Sequence, residues 1–92
     1  MDVNYRFWVD YVVRREPAKV LDFGCGDALV VAELRARGID CCGSDVFYDG
    51  MDYDIGGPLG DLLERGIIMH HQPGEAIPFP DATFDLIIST KS

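Results

Sequence analysis

Val20-Leu21-Asp22-Phe23-Gly24-Cys25-Gly26-Asp27-Ala28-Leu29 is the stretch on which the reading of this chain turns. It opens as an apolar strand and breaks at Gly24 and Gly26, where a backbone without Cβ can turn sharply and admit a ligand closely. It resumes as a helical pattern. A buried strand, a Gly-x-Gly turn and a helix amino terminus together form a concave site whose free N–H groups face a ligand. Asp22 is the informative residue. A carboxylate at the tip of the strand sits badly beside a diphosphate and well beside an ammonium or a hydroxyl.

Working outward, Tyr5, Trp8, Val9, Val12 and Val13 recur at the spacing of an amphipathic helix, with Arg6, Asp10 and Arg14 off the stripe. Asp2 or Asn4 can cap that helix, over residues 2–16, and Pro17 ends it by pushing Glu16 out of the helical region. The first strand is expected over Ala18 to Phe23. Asp27 is the expected cap of a second helix that runs to about Arg37, with Leu29, Val30, Glu33 and Leu34 along it and Gly38 as its C-cap. A right-handed crossover then leads to a second parallel strand, Asp40 to Asp45.

Asp45 stands at the carboxyl end of that second strand, where a nucleoside-binding α/β fold places the acid that accepts both hydroxyls of a ribose. Phe47 to Pro58 is a loop rich in Gly, Asp and aromatics, whose Phe47, Tyr48 and Tyr53 either cover a nucleoside or shield the sheet edge. Asp49, Asp52 and Asp54 lack the spacing of a calcium loop. Pro58 to Arg65 reads as a short helix stopped by Gly66. Ile67 to Met69 open a third strand that runs into His70 and His71, which point to opposite faces and so do not share a metal ion. Pro78 and Pro80 fix an extended approach, Asp81-Ala82 turns, Phe84 packs beneath the sheet, and Leu86 to Ser89 form a buried fourth strand.

Two separated segments carry a family resemblance. The stretch Asp22-x-Gly24-x-Gly26 resembles the first motif of class I S-adenosylmethionine-dependent methyltransferases, with Ala28 where a third glycine is usual. The block Gly74-Glu75-Ala76-Ile77-Pro78-Phe79-Pro80-Asp81-Ala82-Thr83-Phe84-Asp85-Leu86-Ile87-Ile88 resembles the family's later segment, an acid, Leu-Pro-Phe, a turn, Phe-Asp and an apolar strand. The resemblance implies a three-layer α/β Rossmann-like fold with a parallel sheet in the order 3-2-1-4, the first half of the family's domain. It implies one incomplete domain over 1–92, with the nucleoside-binding half at 18–92. The implied function is S-adenosylmethionine-dependent methyl transfer to an unidentified acceptor. The implied cofactor contacts are Asp22 toward the methionine ammonium, directly or through water, Gly24, Cys25 and Gly26 near the carboxylate, Asp45 on the ribose and Val46 against the adenine. Phe23 and Ser89 complete the site from the tips of the first and fourth strands. The family's adenine-reading aspartate falls on Pro73 here, so either Glu75 supplies that contact or Gly74 and Glu75 contribute main-chain groups.

Composition narrows the partners. Eight Lys and Arg against sixteen Asp and Glu give a net charge of −8, spread along the chain, and phosphate binding needs clustered bases that are missing. Nucleic acid is therefore not an expected partner of this segment. No apolar run is long enough for a membrane span. Cys25, Cys41 and Cys42 form neither a zinc nor a disulfide pattern. Cys25 is either a backbone donor in the turn or simply a small residue that fits there. With no leader pattern ahead of the fold the expected location is the cytoplasm. A dinucleotide oxidoreductase is the nearest enzyme rival, yet its third glycine would fall on Leu29. A different class of rival is a non-catalytic binding module, with self-association through an open fourth-strand edge.

Overall fold

The computed structural model describes residues 3–46, 55–71 and 84–90. Its centre is a four-stranded parallel sheet in the order β3-β2-β1-β4, the arrangement expected from the sequence. The strands are β1 (Val20–Phe23), β2 (Cys41–Asp45), β3 (Ile68–His70) and β4 (Leu86–Ile88), and the helices are α1 (Val3–Arg15), α2 (Leu29–Ala36) and α3 (Gly60–Glu64). β1 pairs with both β2 and β4, with Leu21 opposite Cys42 and Ile87. The parallel pairs β1·β2 and β2·β3 are joined through α2 and α3, as a crossover requires.

α1 forms where its apolar stripe was read. Val9 and Val12 are buried, and Tyr5, Trp8 and Val13 pack partly against the same core. The helix ends before Pro17, and Glu16 takes a left-handed φ of 48°. Asn4 lies inside α1 and so is not its cap, while Asp2 is outside the described residues. On α2 the buried side is Val30, Val31 and Leu34, whereas Leu29 is exposed. α2 closes as expected at Gly38, whose N–H reaches Arg35 O at 3.0 Å while Ile39 N–H reaches Leu34 O at 3.0 Å. α3 is shorter than the sequence suggests, because the backbone breaks at Gly57 and a wide helical turn, Ile55–Leu59, precedes it.

β4 corrects one expectation. The apolar run predicts a buried strand, but in β4 only Ile88 is buried and Ile87 is 52% exposed. Among the described residues β4 is an outer strand. Asp85 fastens the base of this strand to β1, accepting N–H bonds from Ala18 at 2.8 Å and Lys19 at 2.7 Å. These bonds hold its carboxyl below the usual carboxylate range. Phe84 is partly exposed, with the Lys19 ammonium 5.6 Å from its ring centre. No described helix is long and apolar enough to cross a membrane.

Candidate functional site

The site grows from the register of β1 and β2. Asp22 is paired with Gly43, and alternation puts Gly43 and Asp45 on the same side of β2. Asp22 and Asp45 therefore project from neighbouring strand tips onto one face of the sheet, the face covered by α2. A Cβ built on Gly43 would meet Cys25 and Val31 on that side. The two acids share a neighbour in Cys25, whose thiol is pushed far up first by burial and then by the negative charges of Asp22 and Asp45. Cys25 is a buried thiol whose neutral form is favoured by its surroundings.

The glycine turn takes left-handed φ at Gly24 (94°), Gly26 (56°) and Ala28 (66°). The third value explains why glycine suits that position, since a Cβ there costs about 1–2 kcal/mol. Ala28, not Asp27, occupies the cap position of α2, and no side chain caps it. The N–H groups of the turn also behave differently from the expectation. Gly24 and Cys25 both donate to Ser44 O, at 2.7 and 3.0 Å, and Gly26 donates to Asp45 Oδ2 at 2.7 Å. The turn is bolted to β2 by its own donors, and the carboxylate of Asp45 is one of the bolts. A charge-assisted bond of this kind is among the stronger ones in a protein.

Asp22 is fully buried. Its two oxygens accept the Thr90 N–H at 3.1 Å and the Thr90 hydroxyl at 2.7 Å. Thr90 is a residue that reading the sequence passed over. The signal was available, because in the order 3-2-1-4 the residues after β4 must lie beside the tip of β1. Ser89 donates its hydroxyl to Phe23 O at 2.7 Å, tying the same two tips together. Phe23 itself points to the opposite face from Asp22, where its ring stacks on His71 at 4.5 Å and 16°. Ser44 lies between them on that face, and Ser44 Oγ and His71 Nδ1 are buried without a hydrogen-bond partner. Val46 is partly buried just beyond Asp45. Gly74 and Glu75, like Phe47, Tyr48 and Tyr53, lie outside the described residues.

A crevice opens between α1 and the turn. Asn4, Tyr5 and Trp8 form one side, and Cys25, Asp27, Leu29, Val30 and Thr90 form the other. Among the described residues Asp27 is the one charged side chain on this lining, so that part of the crevice carries an acid and no base. The buried Asp22 lies directly behind Thr90. Such a lining suits a ligand with positive charge and apolar surface, which fits a sulfonium or ammonium group better than a phosphate.

A parallel sheet in this order, with acids at the tips of its first two strands and a glycine turn between them, is the Rossmann-like arrangement of a class I methyltransferase domain. A methyltransferase-domain family model matches residues 4–92, and the chain belongs to that family. It is also 34% identical over 82 residues to the malonyl-[acyl-carrier protein] O-methyltransferase of Erwinia billingiae (strain Eb661). That match takes in 83% of this chain and 28% of the relative, so the chain spans a little over a quarter of the relative's length. No solved structure matches significantly.

Proposed function

We propose that this chain holds S-adenosylmethionine for methyl transfer, supplying the donor half of the site. The observation that carries the reading is the placing of Asp22 and Asp45 on one face at neighbouring strand tips, with Asp45 holding the glycine turn at Gly26. Asp45 receives the ribose diol while it holds Gly26, so the same carboxylate sets the turn and marks the sugar. Asp22, buried under Thr90, acts on the methionine ammonium through Thr90 or through water. Gly24, Cys25 and Gly26 shape the wall, because their N–H groups are engaged with β2. Val46 lies against the adenine, Gly74 or Glu75 meets its edge, and Ser89 keeps β4 and β1 in step through Phe23. When bound, the sulfonium supplies an electrophilic methyl that passes in line to a nucleophile on the acceptor, the old bonding pair returning to sulfur. The residues of this chain contribute orientation, which is a large part of such a rate.

The acceptor belongs to the part of the reaction that these residues do not form. The malonyl group on an acyl-carrier protein, named for the relative, is the acceptor to test first. A binding module without catalysis is the second reading, and the exposed Ile87 on the outer strand is the observation in its favour. Calorimetric titration with S-adenosylhomocysteine tests the donor site. Saturable binding is expected, weakened about tenfold or more in Asp45→Asn, which keeps an acceptor for Gly26 but loses the charge. No binding, or equal affinity in the variant, would overturn the assignment.

A further inference from the structure

One wall of the crevice is fastened to α2 at a specific point. The fully buried residues of α1 are Val9 and Val12, whereas Asn4 and Phe7 near its start are exposed and Tyr5 and Trp8 are only partly buried. Core packing therefore grips the later part of the helix. The first turns, which carry the aromatic side of the crevice and pack only partly against the core, have a further tie. Tyr5 donates its hydroxyl to Glu33 Oε1 on α2 at 2.9 Å, and Arg37 Nε donates to Glu33 Oε2 at 2.9 Å. The carboxylate of Glu33 is shared, one oxygen to each helix.

We infer that Glu33 is a positioning residue, which sets the aromatic wall of the donor crevice by latching Tyr5, and through it Trp8, onto the helix that follows the glycine turn. Tyr5 and Trp8 are three residues apart, so they lie on one side of α1 and move together. Arg37 fixes the carboxylate from the far side and keeps its second oxygen from turning away. The latch spans 28 residues of sequence, and it joins the element before β1 to the element after it. Its effect on ligand binding rests on the donor reading above. Glu33 touches no ligand and acts only through Tyr5.

Trp8 is the single tryptophan of the chain and reports directly on the latch. Acrylamide quenching of Trp8 and the affinity for S-adenosylhomocysteine are measured side by side in the wild type, Tyr5→Phe, Glu33→Ala and Glu33→Gln. The expected result is easier quenching and about fivefold weaker binding in Tyr5→Phe and Glu33→Ala, a coupling of ordinary size. Glu33→Gln, whose amide oxygen can still accept from Tyr5, restores both. Asp85→Ala is the control for general loss of stability, because Asp85 works at the opposite end of β1 and leaves quenching at the wild-type value. Unchanged quenching in Glu33→Ala overturns the latch whatever happens to binding. Easier quenching with unchanged affinity overturns the positioning role, and a wild type that binds nothing while quenching still responds overturns the donor reading instead.

Discussion

Gly43→Ala puts a methyl group where the glycine turn, α2 and the sheet meet. The new Cβ would stand 3.1 Å from Cys25 Cβ, 3.1 Å from Cys25 Sγ and 3.1 Å from Val31 Cγ2, against about 3.5–4.0 Å for unstrained carbon contacts. None of the three neighbours can retreat cheaply. Cys25 is held by its N–H bond to Ser44 O, and Val31 is fully buried on α2. Overpacking of this kind costs about 1–3 kcal/mol, offset by about 0.5–1 kcal/mol because alanine loses less backbone freedom than glycine in a strand. The net is a destabilisation of up to about 2.5 kcal/mol, or a fall in Tm of up to about 20 °C for a chain of this size. Thermal unfolding followed by circular dichroism measures it. In a Val31→Ala background the penalty should shrink, since one of the three contacts is gone. A Tm above that of the wild type, or one that does not respond to the Val31→Ala background, would show that the turn and α2 do not sit against β2 as described.

Other consequences are open to measurement. Thr90→Val removes the hydroxyl that donates to the buried Asp22 and should cost about 1.5–3 kcal/mol in urea unfolding, with Thr90→Ser close to wild type. Ala28→Gly relieves a left-handed alanine worth about 1–2 kcal/mol but gives up a buried methyl worth about 0.8 kcal/mol and adds freedom to the unfolded chain. The stability should therefore stay within about 1 kcal/mol of the wild type. Asp85 has its carboxyl lowered in the fold by the Lys19 and Ala18 N–H groups, so its contribution is complete above its unfolded pKa and is lost as the pH falls through the folded value. Asp85→Ala should accordingly lower Tm at neutral pH and flatten its decline in acid; an acid limb as steep as that of the wild type would contradict this. His71→Phe replaces a buried ring with an unpartnered nitrogen by an apolar one that can still stack on Phe23, and the stability should be equal or higher.

Much of the fold was legible because it depends on periodicity and on chain punctuation. The stripe from Tyr5 to Val13, the apolar run into Asp22 and the glycines at 38 and 66 each speak through local rules, and the elements formed accordingly. Both acids were legible for a related reason, since strand alternation and a crossover are enough to bring residue 22 beside residue 45. What the chain did not disclose lies in choices between equivalent partners. Nothing local says that the turn's N–H groups go to Ser44 and Asp45 instead of a ligand, or that Ala28 and not Asp27 takes the cap position. The stacking of Phe23 on His71 needs two strands separated by a third. The Tyr5–Glu33 bond needs the packing of α1 on α2, which depends on residues far from either. β4 reads as buried because Leu86, Ile87 and Ile88 are all apolar, although alternation sends Ile87 to the opposite face from Ile88, where it stays half exposed.

The central claim is that the tips of β1 and β2 hold a methyl donor, and amide chemical-shift mapping tests it most directly. On titration with S-adenosylhomocysteine, the largest saturable shifts should fall on Gly26, Val46 and Thr90, with α3 unmoved. Shifts centred on α3, or none at the two strand tips, would contradict the account.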